Sequence, residues 1–447
     1  MNQSEQNSDD PQALDLKGQI ELFDANAQHL ASQGLHEDAE KIYREILRLA
    51  PNNLKALHYL ATRHISNGEL EQAQRLIEHA IRIDFGNATW HQNLGIILRS
   101  RGYLEGALRA FEETLKINPS LGIAWVQRGD VFHALGRHEE SITCYCSAEI
   151  ILGNLENAAA KAPPKIALTL KNAAHILHRT RIRFIEDALS PVRQQYDRKV
   201  LRRAEEAISV VTTGKEVRSD DPLQKPTGFL FPGLAAKPFF ERSEFAFLDE
   251  IEKSAGDILD EARKLPGEVD LSMNYKSSDA GAGMPRWQPL TDNLAFSGLY
   301  LYRRSFKQRE ATFHCPQTMT AVEALPLAQL NGLAPDVYLS KLNQHSRTSA
   351  RYGVSNFKLK VLLPLLAPRG CAIKVGDVTR QLHQGECLIF DESFEHERWN
   401  RSQETCLALE FEIWHAGVTQ AEREFLSAAQ GGIENFNIRF RNPQSGV

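Results

Sequence analysis

A glycine, a small residue and a large apolar residue recur together with a period of 34 residues through the first third of the chain. Within each period a small residue follows the glycine after five positions, and a large apolar residue follows four positions later. This spacing predicts two antiparallel helices per period, which turn at the glycine and approach most closely at the small residue. Stacking several such pairs is predicted to build a continuous core. The positions are Gly34, Gly68, Gly102 and Gly136; Ala39, Ala73, Ala107 and Ser141; Tyr43, Ile77, Phe111 and Tyr145.

The repeat resembles the tetratricopeptide repeat, with four units over residues 17–150. The resemblance implies an all-α solenoid whose concave face holds a peptide or another protein. The sequence is equally compatible with a scaffold that spaces or docks the domain behind it. The ten histidines before residue 226 are scattered, and we interpret them as surface or packed residues, not as ligands.

Residues 151–225 are predicted to form a helical connector and linker. Apolar residues at helical spacing run through 166–189, and a basic run occupies 178–183. A basic run can indicate nucleic-acid binding, but the acidic overall balance favours a solvated helix face. The polar stretch 212–228, with Gly and Pro, is the predicted linker.

Short apolar or alternating runs, broken by Gly, Pro and polar turns, begin at Gly228. They are typical of a β-rich domain with strands of about 5 to 8 residues. We place this domain at 226–425 and a C-terminal tail at 426–447, which makes the chain a multidomain α + β protein. The clearest runs are 359–370, 371–382, 387–390 and 406–414.

Composition narrows the class of protein. The 447 residues allow two or three domains, and 42% hydrophobic with 24% charged residues is ordinary for a globular chain. A net charge of -5 argues against a nucleic-acid partner. The N-terminus lacks signal-peptide features and no 18-residue apolar run exists, so no membrane span is predicted. Six cysteines without a CxxC pair predict reduced thiols and a cytoplasmic location.

The second half resembles the aspartyl/asparaginyl β-hydroxylase family over about residues 228 to 425. The similarity lies in the entry segment 228–252, in CPQT at 315–318, in 355–400 with its block FDESFEHERWN, and in LEFEIW at 409–414. It implies a double-stranded β-helix, a cupin- or jelly-roll-like barrel. It also implies a dioxygenase that uses Fe(II), 2-oxoglutarate and O₂ to hydroxylate Asp or Asn side chains of proteins, or related small or lipid substrates.

The family's functional positions fall on six residues of this chain, of which four differ from the family pattern. His396 takes the place of the second metal histidine, and Ser340 and Lys360 take the places of cosubstrate contacts, although Lys360 stands for an arginine. The first metal histidine is replaced by Arg351, a further histidine by Leu362, and the arginine that anchors the cosubstrate by Cys406.

Two hypotheses follow from these replacements. In the first, the protein is a pseudoenzyme with weak or lost hydroxylase activity, whose repeats recruit a protein partner and which needs no cofactor. His396 is then a hydrogen-bonded structural residue, and Arg351 binds an anion or pairs with Glu397 or another carboxylate. This hypothesis is favoured because one imidazole does not hold Fe(II) and a cation repels it.

The alternative is an active peptidyl Asp/Asn hydroxylase with a non-standard metal site, Fe(II) and 2-oxoglutarate. It needs a second ligand near His396. None of the domain's five histidines is followed two residues later by Asp or Glu, so the ordinary His-x-Asp/Glu motif is absent. His345 could serve only if its loop were rebuilt. Asp391, Glu395 and Glu397 are interpreted as turn-forming or salt-bridging residues, not ligands.

Overall fold

The computed structural model describes residues 11–213, 217–265, 288–290, 295–330 and 332–441. The chain divides into two compact units, Met1–Thr180 with Ile438–Val447, and Arg181–Asn437. The finer boundaries 17–150, 151–225, 226–425 and 426–447 stay predictions. Positions 214–216 of the predicted linker, 266–287 of the predicted β domain and 442–447 of the predicted tail lie outside the described residues.

The first unit contains the four helix pairs that the period predicts. Gly34, Gly68, Gly102 and Gly136 each follow the first helix of a pair with φ between 74° and 83°, the left-handed region that glycine enters without a Cβ penalty. The helices are α1 (Pro11–Ser32), α2 (His36–Leu49), α3 (Leu54–Ser66), α4 (Leu70–Ile83), α5 (Ala88–Ser100), α6 (Leu104–Ile117), α7 (Gly122–Ala134) and α8 (His138–Leu152).

The small and large apolar positions of the period form the core of this unit. All four small positions are fully buried, and the large residues are buried against them. Gly95 and Gly129 are in helices, and a Cβ on them would lie 2.7 Å from the Phe111 ring and 2.5 Å from the Tyr145 ring. The repeat interpretation is therefore confirmed at the level of packing.

The predicted connector is helical. It consists of α9 (Leu155–Ala160), α10 (Pro164–Gln195) and α11 (Arg198–Thr213). Within α10 the basic run is largely exposed, and Arg183 lies 3.7 Å from Asp187 one turn later. Three of the four basic residues in the run, His178, Arg179 and Arg183, are exposed to solvent. No helix among the described residues is long and apolar enough to cross a membrane.

The second unit contains two antiparallel sheets. In the larger sheet the strand order is β1-β10-β7-β12-β5-β3-β2, with β4 paired to β3, and in the smaller it is β6-β11-β8-β9. The strands are β1 (Phe239–Phe240), β2 (Gln288–Pro289), β3 (Phe296–Arg303), β4 (Phe306–Lys307), β5 (Val337–Leu342), β6 (Ser346–Arg347), β7 (Lys358–Leu366), β8 (Cys371–Val375), β9 (Val378–Gln381), β10 (Leu388–Phe390), β11 (His396–Asn400) and β12 (Cys406–Trp414).

The predicted apolar runs coincide with strands of these sheets. The run 359–370 contains β7 except its first residue, Lys358, and the run 371–382 contains β8 and β9. The run 387–390 contains β10, and 406–414 is β12. The antiparallel β-rich domain is confirmed, and the double-stranded β-helix stays a prediction.

Residues of the larger sheet belong to two buried apolar clusters. One lies between the sheet and short helices, with Leu248, Ile258, Leu359 and Phe411 among its buried members. The other joins strands of both sheets and includes the sequence-selected Leu362 and Cys406. Besides α11 and the end of α10, the described helices of this unit are α12 (Leu248–Lys253), α13 (Ala255–Lys264), α14 (Arg309–His314), α15 (Pro316–Glu323) and most of α16 (Gln420–Phe440).

The CPQT segment begins helix α15. Its backbone N–H groups at Gln317 and Thr318 donate to the buried Glu261 carboxylate of α13, each at 2.8 Å, and the Thr318 hydroxyl donates to it at 2.6 Å. A carboxylate at a helix N-terminus satisfies donors that have no partner within the helix. This part of the family resemblance therefore has a structural role, the joining of α13 to α15.

Candidate functional site

A cavity of about 180 Å³ is lined by strands of both sheets. Arg351, Lys360, Leu362 and His396 all line it, so the structure brings four of the six sequence-selected positions together. Ser340 is buried behind the cavity lining on β5, and Cys406 is buried at the start of β12.

Arg351 and His396 are direct neighbours across an antiparallel bridge. The Arg351 N–H donates to the His396 carbonyl at 3.1 Å, and the His396 N–H donates to the Arg351 carbonyl at 2.8 Å. Such directly opposed residues place their Cβ atoms about 5 Å apart. The residue at position 351 therefore determines what the His396 imidazole faces.

The Arg351 side chain enters the cavity. Its guanidinium carbon lies 5.5 Å from the centre of the Phe296 ring, and its Nη1 atom is buried without a hydrogen-bond partner. No carboxylate of the described chain lies within 4.0 Å of it, so the ion pair with Glu397 that the sequence allowed does not form. Arg351 is thus a buried guanidinium that forms no ion pair with the described residues.

His396 is buried in a neutral state. Its Nδ1 atom donates to the Phe394 carbonyl at 3.1 Å, and its ring packs 5.6 Å from the Phe390 ring. Burial, together with the nearby Arg351 charge, lowers the pKa of His396 to about 4. With Nδ1 protonated, Nε2 is an acceptor at neutral pH.

Arg398 is a site residue that the sequence interpretation missed. Its Nη1 atom donates to Glu410 at 2.9 Å, and its Nη2 atom donates to the Ser340 hydroxyl at 3.0 Å. Its guanidinium carbon lies 4.9 Å from the Phe296 ring centre, and its Nε atom is buried without a partner. Residues two apart on a strand point to one face, so the alternation in HERWN could have placed Arg398 beside His396.

Leu362 gives the cavity an apolar lining, whereas Cys406 is not among its lining residues. Both belong to the buried cluster between the two sheets. The Cys371 thiol donates to the Asn400 side-chain oxygen at 3.3 Å. The neighbouring Cys371 thiol and the Arg398 charge lower the pKa of the Cys406 thiol, although burial opposes this shift. Cys371, Cys387 and Cys406 are all buried strand-region residues, as expected, but only the first and last meet.

Lys360 is neutralised by protein carboxylates. It lies 3.5 Å from Glu392 and 3.2 Å from Glu412, while Lys358 lies 3.3 Å from Glu392 and also pairs with Glu412. All four side chains are buried. Burial opposes the charge of Lys360, but the two carboxylates raise its pKa well above the ordinary value. We call these four residues the lysine–glutamate quartet. Because Glu392 and Glu412 both pair with Lys360, little of its positive charge is left to attract a ligand.

The donor set does not fit Fe(II). Across the described part of the chain, no three His, Cys, Asp or Glu side chains are grouped to hold a metal ion. His345 lines a separate surface cleft with Trp399 and Arg401. Of the carboxylates at the cavity, Glu392 belongs to the quartet and Glu410 accepts from Arg398 and from the Tyr338 hydroxyl, the latter at 2.7 Å. A single imidazole beside a cation is therefore what a metal ion would meet.

The loop before His396 includes Asp391, one of the three acidic residues interpreted as turn-forming. Its carboxylate accepts from the Ser393 N–H at 2.9 Å and from the Gln224 side chain at 2.7 Å. Burial raises the pKa of Asp391 to about 6. Asp391 is thus confirmed as a turn residue, whereas no ion pair of Asp391, Glu395 or Glu397 forms within the described ranges.

Profiles of known families match two separate parts of the chain. The profile of a family described as aspartyl/asparaginyl beta-hydroxylase matches residues 252–416. Two tetratricopeptide repeat profiles match residues 30–94 and 93–154.

Individual relatives are distant. The human "Aspartate beta-hydroxylase domain-containing protein 2" is 27% identical over 220 residues, which cover 48% of this chain and 57% of that protein. The mouse "Aspartyl/asparaginyl beta-hydroxylase" is 23% identical over 417 residues, covering 92% of this chain and 51% of that protein. The chain thus spans little more than half the length of these relatives. A solved structure of MamA covers 35% of the chain at 18% identity and a TM-score of 0.29.

Proposed function

Because the chain carries tetratricopeptide repeats and a C-terminal aspartyl/asparaginyl β-hydroxylase domain, we propose that the repeats recruit a protein partner to a domain that has lost Fe(II) binding and hydroxylase activity. The observation that carries this proposal is the pairing of Arg351 with His396. The family's chemistry generally depends on Fe(II) and 2-oxoglutarate, and this pairing removes one ligand and adds a cation in the same place.

Arg351 in place of the first metal histidine removes a ligand and also adds a positive charge that repels a metal ion. A divalent ion and a guanidinium at a separation on the order of 5 Å repel by about 7 kcal/mol at an effective dielectric constant of 20. His396 supplies one imidazole against this repulsion, where two or three protein ligands are the usual minimum. Neither Glu392 nor Glu410 is available without breaking a buried ion pair.

The cosubstrate contacts are altered as well. Lys360 belongs to the quartet, and the Ser340 hydroxyl already accepts a hydrogen bond from Arg398. Cys406 offers a thiol in an apolar cluster where the family has a guanidinium fork. These three positions support the loss of 2-oxoglutarate anchoring in the family's manner.

The repeats offer a polar surface that suits a peptide partner. Arg99 of α5 donates to Asp130 of α7 at 3.0 Å, and Gln92 donates to Gln127 at 2.9 Å. Both pairs join the first helices of successive repeats and are partly exposed. A ladder of donors and acceptors along such helices can bind an extended chain.

The experiment combines capture with mass spectrometry. The full chain and an Arg99→Ala/Gln92→Ala variant are used to capture partners from cells of the source organism. A Lys116→Ala variant, changed on the exposed side of α6, is the matched control. We expect the double variant to lose a partner that the wild type and the control retain, and the partner to carry no added oxygen on Asp or Asn.

Two results would overturn this proposal. One is a captured partner whose Asp or Asn carries an added oxygen that disappears when the cells hold His396→Ala instead of the wild type. The other is that no protein distinguishes the wild type from the α5 double variant while both remain folded.

A further inference from the structure

We propose that the cavity beside His396 binds a short aliphatic monocarboxylic acid without a metal ion, its carboxylate held between the guanidinium groups of Arg351 and Arg398. The proposal rests on the proposed loss of the iron site, but it does not depend on partner recruitment. In this proposal an anion takes the place of the metal cation that the family's site would hold.

The two arginines converge on one aromatic ring. Their guanidinium carbons lie 5.5 Å and 4.9 Å from the centre of the Phe296 ring, although they come from different segments. Arg351 lies opposite His396, and Arg398 follows His396 on the same strand face. One small anion can therefore accept from both.

Each arginine has a buried donor to offer. Nη1 of Arg351 and Nε of Arg398 are buried and have no hydrogen-bond partner among the residues that the structure describes. An unsatisfied buried donor costs about 1–3 kcal/mol, more when it is charged. A carboxylate presents two oxygens with several lone pairs and would satisfy both donors with charge-assisted hydrogen bonds.

The charge balance favours an anion at Arg351. The Arg398 charge is met by Glu410, and Lys360 is met by the quartet. Two other acidic residues, Asp336 and Glu397, belong to the cavity lining. Asp336 accepts the Arg304 N–H at 2.6 Å and lies near Lys360, and Glu397 alternates with its neighbours on β11, so its Cβ points to the opposite face. Arg351 is thus the lining cation that has no ion pair within the described ranges.

Size and lining select the ligand class. A cavity of about 180 Å³ equals the liquid volume of roughly six water molecules, below the 300–1,000 Å³ of sites for drug-sized ligands. Leu362, Ile373 and Phe390 are apolar residues of the cavity lining. A short apolar chain can pack against them while its carboxylate accepts from the arginines, whereas a peptide segment is too large for the cavity.

The test is a calorimetric titration of butanoate into the full chain in the presence of a metal chelator. We expect a Kd of about 1 mM or tighter, which six heavy atoms can supply. The neutral isostere butanamide should bind at least about tenfold more weakly, and Arg351→Gln should weaken butanoate by a similar factor. Arg369→Gln, an exposed arginine on the loop after β7, is the control and should change Kd less than about twofold.

The proposal is overturned if the wild type binds no butanoate up to about 50 mM, or if butanamide binds as well. It also fails if Arg351→Gln binds equally, or if a blocked Asp-containing tripeptide binds more tightly than butanoate. Should Arg351→Gln not fold, Arg351→Lys replaces it: retained charge without the fork should weaken binding, and undiminished affinity contradicts the assignment. Metal-dependent hydroxylation of a captured partner would overturn the proposed function, whatever this titration shows.

Discussion

Arg351 and His396 exchange two backbone hydrogen bonds, at 3.1 and 2.8 Å, and thereby place their side chains in one cavity. This relationship is fixed by the backbone, so it persists when either side chain is changed. The residue at position 351 then decides whether the imidazole faces a second ligand or a cation.

Arg351→His should raise the metal affinity of the cavity. The substitution removes the repelling charge and sets a second imidazole opposite His396. We expect at least about a tenfold gain in Mn(II) affinity, measured by calorimetry. Arg369→His adds the same side chain at an exposed position and should bring no gain. Equal Mn(II) affinity in the wild type and Arg351→His would mean that the pairing does not control metal binding.

The stability of the second unit should fall in acid because of His396. Its pKa is about 4 in the folded protein and 6.5 when unfolded, so the unfolded chain binds the proton first. A lowered folded pKa of a base means that stability is lost as pH falls from 6.5 to 4, by up to about 3 kcal/mol. His396→Gln should flatten this part of the pH profile in urea unfolding. Parallel profiles for the two proteins would show that His396 is not held neutral.

Asp391 should make the protein more stable as the pH falls, which is opposite to the effect of His396. Its pKa rises from 3.8 to about 6 on folding, so the folded protein binds the proton first. Stability should therefore be gained as pH falls from 6 to 3.8, by up to about 3 kcal/mol. In Asp391→Asn this gain should be absent from the same unfolding series. A variant that still shows the gain would place its origin in another group.

A single substitution in the quartet should lower the stability of the protein strongly. A paired substitution should lower it less than the two single ones together. Lys360→Met leaves Glu412 with one buried cation fewer and should destabilise the protein by about 3–5 kcal/mol. Lys360→Met combined with Glu412→Leu should cost less than the two single changes together, since no buried charge is left uncompensated by the pair. Chemical denaturation of the four proteins measures this, and strictly additive losses would argue against coupling in the quartet.

The repeats could be predicted from the sequence because their order is local. Gly102, Ala107 and Phe111 lie within one helix pair, and their spacing reports packing that the neighbouring unit simply repeats. The apolar strands of the second half were predictable for the same reason. Each run is bounded by its own turn residues.

The site was only partly predictable because it depends on register between distant strands. Glu410 opposes Tyr338 across β5 and β12, and Glu412 opposes Lys360 across β7 and β12. No spacing within LEFEIW reveals those partners. Arg398 is the exception, since strand alternation alone places it on the His396 face. Its bonds to Ser340 and Glu410 still required the fold.

The free Mn(II) signal in electron paramagnetic resonance measures whether the cavity of this protein holds a metal ion. Mn(II) would be added at equal concentration to the wild type, His396→Ala and Arg351→His, and the unbound ion counted. We expect the wild type and His396→Ala to leave the signal equally undiminished, and Arg351→His to reduce it. A wild-type protein that removes the signal, with His396→Ala restoring it, would show that His396 has a metal-ligand partner and would contradict the loss of the iron site.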